Sequence, residues 1–263
     1  MSYLSFLGKR VSTYGLLGLL GFVFGIIYLF TVVHKKSQKE ISFEDCLYVY
    51  VWSVVFAIIG AKKLYLLLNV REIVGSIIDR GFSFSTIYPY ISGGFVFYGG
   101  LIGAILGCFA ACAYFKLERN IVVSLMLPTF PLMHAFGRIG CSAVGCCYGI
   151  ETTSRFYLMY HNSVYAPNEV HLVPTQIYEA IFELAIFIVL VILFYRSTSG
   201  NHMLFLYLIS YSTFRFIIEF WRGDEARGHL GVLSTSQIIS IVIIVISICT
   251  IVNSYKGKRR KGV

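Results

Sequence analysis

Charge is what this sequence has least of. Asp, Glu, Lys and Arg make up 13% of the chain, about half the roughly 25% of an average soluble domain. That excludes an ordinary water-facing surface. Proline is scarce as well, at five residues, and no Ser- or Gly-rich tract, internal repeat or low-complexity segment interrupts the chain. A linker between domains is therefore not expected, and 1–263 reads as a single integral-membrane domain. The six histidines are scattered, without the HxxxH-type pairing of a helical metal site, so no metal site is expected.

What fills the chain is apolar. Hydrophobic residues account for 57%, and mean hydropathy is +0.75. A spanning helix needs about 20 mostly apolar residues. Seven candidates meet or approach that length: Tyr14–Val33, Leu47–Leu68, Phe95–Phe115, Ile121–Arg138, Ile177–Tyr195, Met203–Trp221 and Gln237–Val252. The fold class is thus an all-α polytopic membrane protein of about seven transmembrane helices. The fourth span contains Pro128 and Pro131, which predicts a kinked or broken helix whose freed carbonyls are satisfied by neighbours. The first span follows Lys9 and Arg10, but it is longer than a signal-peptide core and no clear small-x-small site follows, so it reads as retained.

The net charge is +9. In a chain of this hydropathy basic residues chiefly set orientation, and no nucleic-acid partner is implied. With the C-terminus cytoplasmic, the inner loops carry Lys35, Lys36, Lys39, Lys116, Arg119, Arg196 and the basic tail from Lys256 to Lys261. The outer ones carry Lys9, Arg10, Arg71, Arg80, Arg155, Arg222 and Arg227. The bias favours C-inside and, with seven spans, N-outside. Both long connections, Asn69–Gly94 and Cys141–Gln176, then fall on the external side.

Against this background, charges inside apolar segments call for a partner. Arg138 lies in HAFGRIGCSAVGCCYG, among Gly137, Gly140, Gly145 and Gly149. Its planar fork of donors suits a phosphate; a structural carboxylate is the competing partner, at even weight. Tyr211, Arg215, Glu219 and Arg222 recur at spacings of 4, 4 and 3, which puts them on one helical face. An i,i+4 pair between Arg215 and Glu219 is expected whatever the stripe does. GGFVFYGGLIG brackets Tyr98 with Gly99 and Gly100, a pattern of close packing. In VPTQIYEA, Gln176 and Glu179 follow Pro174, which reads first as helix initiation and capping.

Seven cysteines, an odd number, cannot all pair. Cys141, Cys146 and Cys147 stand apart from those in apolar runs. CxxxxCC is not a standard zinc spacing, and inert or disulfide-bonded sulfur outranks a catalytic thiolate.

Taken in order, these pieces resemble the prolipoprotein diacylglyceryl transferase family. The matching pieces are Tyr14–Gly15, Gly93–Gly103, Gly137–Gly140, Pro174–Ala180, Tyr211–Arg222 and LSTSQIIS at Leu233–Ser240, and together they cover nearly the whole chain. The resemblance implies transfer of the diacylglyceryl group of phosphatidylglycerol to the thiol of a lipobox cysteine in prolipoprotein signal peptides. Glycerol phosphate is released, at the external side of the bacterial plasma (inner) membrane, without cofactor. It implies catalytic roles for Arg138, Arg215, Tyr14, Tyr98 and Glu219. It implies substrate binding by Arg138, Tyr211, Arg222, Gly99, Gly100, Cys141 and Gly149. Three positions depart from the family pattern: Cys141 replaces an asparagine, Cys146 an acidic residue and Tyr98 a histidine. They motivate a second reading, a paralogous transferase for another acceptor, while the glycine-rich helices around a buried arginine motivate a third, a non-enzymatic lipid-binding or transport protein.

Overall fold

The computed structural model describes residues 3–6, 9–36, 41–224 and 229–260. The described residues are mostly helical, with an irregular stretch at 145–174 and two short antiparallel hairpins. The first joins β1 (Tyr3–Phe6) to β2 (Lys9–Ser12), and the second joins β3 (His229–Leu230) to β4 (Leu233–Ser234). The helices are α1 (Thr13–Lys36), α2 (Phe43–Leu68), α3 (Val70–Arg80), α4 (Phe84–Ser92), α5 (Phe97–Tyr114), α6 (Arg119–Met126), α7 (Thr129–Val144), α8 (Thr175–Tyr195), α9 (Gly200–Ile218) and α10 (Thr235–Arg260).

Among the described residues six stretches are long and apolar enough to cross a membrane: Thr13–Val33, Phe43–Leu68, Arg119–Val144, Thr175–Tyr195, Gly200–Trp221 and Thr235–Ser254. The seventh expected span is the shorter apolar helix Tyr98–Tyr114. The fourth is broken as its prolines require. It stops at Met126, turns through Leu127 and Pro128, and resumes at Thr129. Pro131 sits in the first turn of α7, where a missing N–H removes no helical bond. That helix runs past Arg138 to Val144 and closes on Gly145 at φ +84°, whose N–H bonds the Cys141 carbonyl at 2.9 Å. This left-handed glycine cap adds more than a turn beyond the end expected from hydropathy.

The chain divides into two compact units, Val32–Val122 and the remainder. In the first, α2 begins with a capping box: Ser42 Oγ accepts from Asp45 N at 3.0 Å, and Asp45 accepts from Ser42 N at 3.2 Å. Helices α2 and α5 pack backbone to backbone through glycines. A Cβ on Gly99 would strike the Gly60 carbonyl, one on Gly103 the Phe56 carbonyl, and one on Gly107 would lie 2.9 Å from the Trp52 carbonyl. The stretch Asn69–Gly94, expected as a connection, holds α3 and α4. Lys62 ties its end down: the ammonium donates to the Tyr90 carbonyl at 2.6 Å and to that of Gly93.

In the other unit α7 packs on α8, α8 on α9, and α9 on α10. Between α7 and α8 the chain is irregular but anchored. Gly149 bridges Arg222, and Leu172 bridges both Glu151 and Leu158. All the acid–base residues described next belong to this unit.

Candidate active site

Three buried arginines converge on one buried carboxylate. Glu179, on the second turn of α8, meets Arg138 of α7 through an Nε–Oε2 ion pair. It meets Arg215 of α9 at 3.0 Å, and Arg222, beyond the end of α9, at 3.7 Å. Arg215 also reaches Glu219 at 2.8 Å, the expected i,i+4 pair, and donates to Ser236 Oγ of α10 at 3.1 Å. Arg222 is held bidentately by Asp224, at 2.7 and 2.6 Å. Each cation is thus compensated, as burial demands.

Glu179 is the residue the sequence reading undervalued. The N-cap of α8 is Pro174, and no side chain caps that helix end. Gln176 donates instead to the Cys146 carbonyl at 2.8 Å. The available signal was a carboxylate near the start of a segment otherwise apolar, which in lipid marks a functional position by default. The same signal applies to Glu183, one turn on. Its Oε1 lies 2.6 Å from Nδ1 of His134, whose Nε2 lies 3.2 Å from Arg138 Nε. An arginine N–H can only donate, so His134 Nε2 is the acceptor and Nδ1 carries the proton given to Glu183. Glu183, His134 and Arg138 thus form one chain of hydrogen bonds, with the imidazole positioning the guanidinium.

Arg138 donates through Nε to His134, and its closest approach to Glu179 is also at Nε. Its two terminal nitrogens make no hydrogen bond to a described residue, although the side chain is buried. A guanidinium fixed at Nε with its outer edge open is suited to grip two oxygens of an anion.

The remaining expected site residues sort by unit. Tyr14 lies against α7, its ring 3.0 Å from where a Cβ on Gly140 would stand. Tyr211 meets the His134 ring edge-on at 5.4 Å between centroids and stacks on Tyr207 at 5.9 Å. Arg222 was expected on the helical face of Arg215. Instead α9 ends at Ile218, a 3₁₀ turn covers Glu219–Trp221, and Arg222 is extended. The bridge to Gly149 brings it inward. That approach needs glycine: a Cβ on Gly149 would strike the Val173 carbonyl and lie 2.9 Å from that of Trp221. Tyr98, Gly99 and Gly100 belong to the other unit, where Gly99 serves the α2–α5 packing.

The loop after α7 gathers sulfur. Cys141, Cys146 and Cys147 are not bridged to one another, and their three Sγ atoms lie within 4.8 Å of one another. The left-handed turn at Gly145 and a second at Cys147, φ +59°, fold the chain back on α7. For a residue with a Cβ that conformation costs roughly 1–2 kcal/mol. Bonds from Thr175 Oγ1 to the Cys147 carbonyl, 3.0 Å, and from Gln176 to that of Cys146 hold it.

The loop also shifts titrations. The Cys147 thiol is pulled below its ordinary range by hydrogen bonds with Cys141 and Cys146, assisted by the Arg138 and Arg222 charges. Cys146 is lowered by its bond to Cys141, but the bond to Cys147 and burial outweigh that and push it up to about 11. Burial raises the nearby Tyr160 phenol to about 12. Burial opposes the Arg222 charge, but Asp224, Cys147 and Glu179 together outweigh it and hold the guanidinium above its usual range.

The prolipoprotein diacylglyceryl transferase family model matches residues 2–253. A phosphatidylglycerol–prolipoprotein diacylglyceryl transferase of Clostridium tetani is 33% identical over 242 residues, covering 92% of each chain. One of Clostridium perfringens, numbered 2, is 35% identical over 260 residues, covering 97% of this chain and 96% of its own. That of Clostridium novyi is 30% identical over 252 residues, covering 94% and 93%.

Proposed function

Because the chain belongs to the prolipoprotein diacylglyceryl transferase family, we propose that it transfers the diacylglyceryl group of phosphatidylglycerol to the thiol of a lipobox cysteine, releasing glycerol phosphate. The observation that carries this reading onto particular residues is the open outer edge of Arg138. Its terminal nitrogens, which make no hydrogen bond to a described residue, offer two donors to an anion, and a membrane lipid phosphate is one that reaches bilayer depth.

In this reading Arg138 grips the phosphodiester and stabilises the charge that grows on the departing phosphate. Arg215, braced by Glu179, Glu219 and Ser236, adds positive potential behind it, and Glu219 orients Arg215. Tyr14 and Tyr211 hydrogen-bond near the reacting head group, Cys141 lines the lipid site, and Arg222 guards its mouth. Gly149 lets the loop close over Arg222. Tyr98, Gly99 and Gly100, also expected as site residues, belong to the Val32–Val122 unit. The protein is multi-pass in the bacterial plasma (inner) membrane, a single transferase domain with C-terminus inside, N-terminus outside and active site outward. Its partners are that lipid, the membrane and prolipoprotein signal peptides, with no nucleic acid.

The test is direct. Purified protein supplied with phosphatidylglycerol and a lipobox peptide should yield a thioether-linked diacylglyceryl peptide, and Arg138→Ala should abolish it. Absence of the thioether would overturn the reading. The replacements at Tyr98, Cys141 and Cys146 favour a second reading, the same lipid with another acceptor. Full rescue of a strain lacking its own lipoprotein transferase would argue against it.

A further inference from the structure

The cluster of Cys141, Cys146 and Cys147 is not used by the arginine chemistry, yet the fold assembles it with care. One thiol comes from the last turn of α7. The other two follow a left-handed glycine and lie in a loop whose carbonyls are pinned to the first turn of α8. All three sulfurs are within 4.8 Å of one another. A tetrahedral zinc with Zn–S bonds of about 2.3 Å sets its sulfurs about 3.8 Å apart. Closing on such an ion therefore requires movements of no more than about 1 Å. A disulfide would use two of the three and leave the third idle. Cys141 is buried, while Cys146 and Cys147 are partly accessible, so the cluster can be reached from its loop side.

We propose that these three cysteines form a site for a thiophilic divalent cation, zinc above all, whose fourth position takes the thiol of the acceptor cysteine. Three protein ligands with one open position is the arrangement of catalytic rather than structural zinc. The inference rests on the transferase reading and deepens it. Alkylating a thiol requires a thiolate, and a thiol bound to zinc is deprotonated outright. No separate base is then required, which matters because His134, the imidazole beside Arg138, has its Nε2 committed to that arginine.

The step balances. The acceptor S–H proton leaves to solvent as sulfur binds the metal. A sulfur lone pair forms the C–S bond to the terminal carbon of the diacylglyceryl group. The C–O bond to phosphate breaks, and its electron pair departs on glycerol phosphate. A zinc with four thiolates carries two net negative charges; Arg138 lies one turn before Cys141 on α7, and Arg222 bridges Gly149, two residues past Cys147. In this step the sulfur on the metal and the phosphate on Arg138 stand on opposite sides of the reacting carbon, as in-line displacement requires.

The probes are zinc and cadmium ions with the full-length protein in detergent under reducing conditions. Wild type should bind one zinc per chain. Cys141→Ser, Cys146→Ser and Cys147→Ser should each weaken binding at least tenfold, and Cys249→Ser should not. Cadmium should give a sulfur-to-metal absorption band. A lipobox peptide should raise that band by about one third, from three thiolates to four, whereas the same peptide with serine for cysteine should not. No zinc uptake, a disulfide among the three cysteines, or a band indifferent to the peptide thiol would overturn the proposal. The underlying function is read separately: transfer that persists after zinc removal and in the serine variants sinks the metal site and leaves the transferase reading standing. A cadmium band that responds to the peptide without any lipid transfer keeps the thiol site and sinks that reading.

Discussion

Arg138 makes its closest approach to Glu179 across the α7–α8 contact through Nε, the nitrogen that also donates to His134. A carboxylate and a phosphate are therefore not exclusive partners for this arginine. The carboxylate meets it at Nε, and in the proposed reading the terminal nitrogens take the lipid phosphate.

Arg138→Lys keeps the charge but removes the fork. An ammonium cannot pair with Glu179 and grip two phosphate oxygens in one plane. Transfer should fall about 10²–10³-fold with thermal stability close to wild type, measured by peptide lipidation and by the melting temperature in detergent.

Glu179→Gln leaves three buried arginines facing a neutral amide. Breaking a buried pair from one side typically costs about 3–5 kcal/mol, and here three pairs share the lost partner. The variant should be strongly destabilised, and transfer should be lost even in the fraction that remains folded. A melting temperature equal to wild type would show that Glu179 is not the hub of this cluster.

His134 acts through Arg138. His134→Leu should lower transfer about 10²-fold, the scale of a misplacement near 1 Å. His134→Gln, which keeps an acceptor for Arg138 Nε, should recover a large part of it. Glu183→Gln should give a smaller loss in kcat with KM for the lipid nearly unchanged. Equal losses in the Leu and Gln variants would point to a packing role alone.

Gly149→Ala places a methyl against the Val173 and Trp221 carbonyls. Neither is a flexible side chain, so the backbone must shift, at about 1–3 kcal/mol. The bridge to Arg222 should open, visible as faster amide exchange around 148–150 and 221–223 together with reduced transfer.

Tyr160 supplies a pH signature. Its phenol is raised to about 12 by burial, above the ordinary value near 10. Native protein then holds this proton more tightly than unfolded chain. Its contribution to stability is complete below about pH 10 and is lost as pH rises towards 12. Phenolate absorbance of Tyr160→Phe subtracted from wild type should appear near pH 12, and an onset near 10 would contradict the burial.

Much was legible in the sequence because it depends on near neighbours. Hydropathy over 20 residues marks a spanning helix, since lipid leaves backbone amides no other partners. Pro128 breaks the fourth span wherever that span packs, and Arg215 meets Glu219 because four residues make about one turn. The ordered motifs carried the family. What depends on contacts between distant segments was not legible. Glu179 reads as a capping residue until α7, α8 and α9 bring three arginines to it. Arg222 leaves the helical face of Arg215 because α9 stops at Ile218 and a bridge to Gly149 takes over. CxxxxCC has no metal spacing along the chain, and two left-handed turns, at Gly145 and Cys147, draw its sulfurs together. Local chemistry determined which residues could be charged in lipid; only tertiary packing decided which of them face one another, because at bilayer depth a charge must be met by another group of the protein or by a ligand.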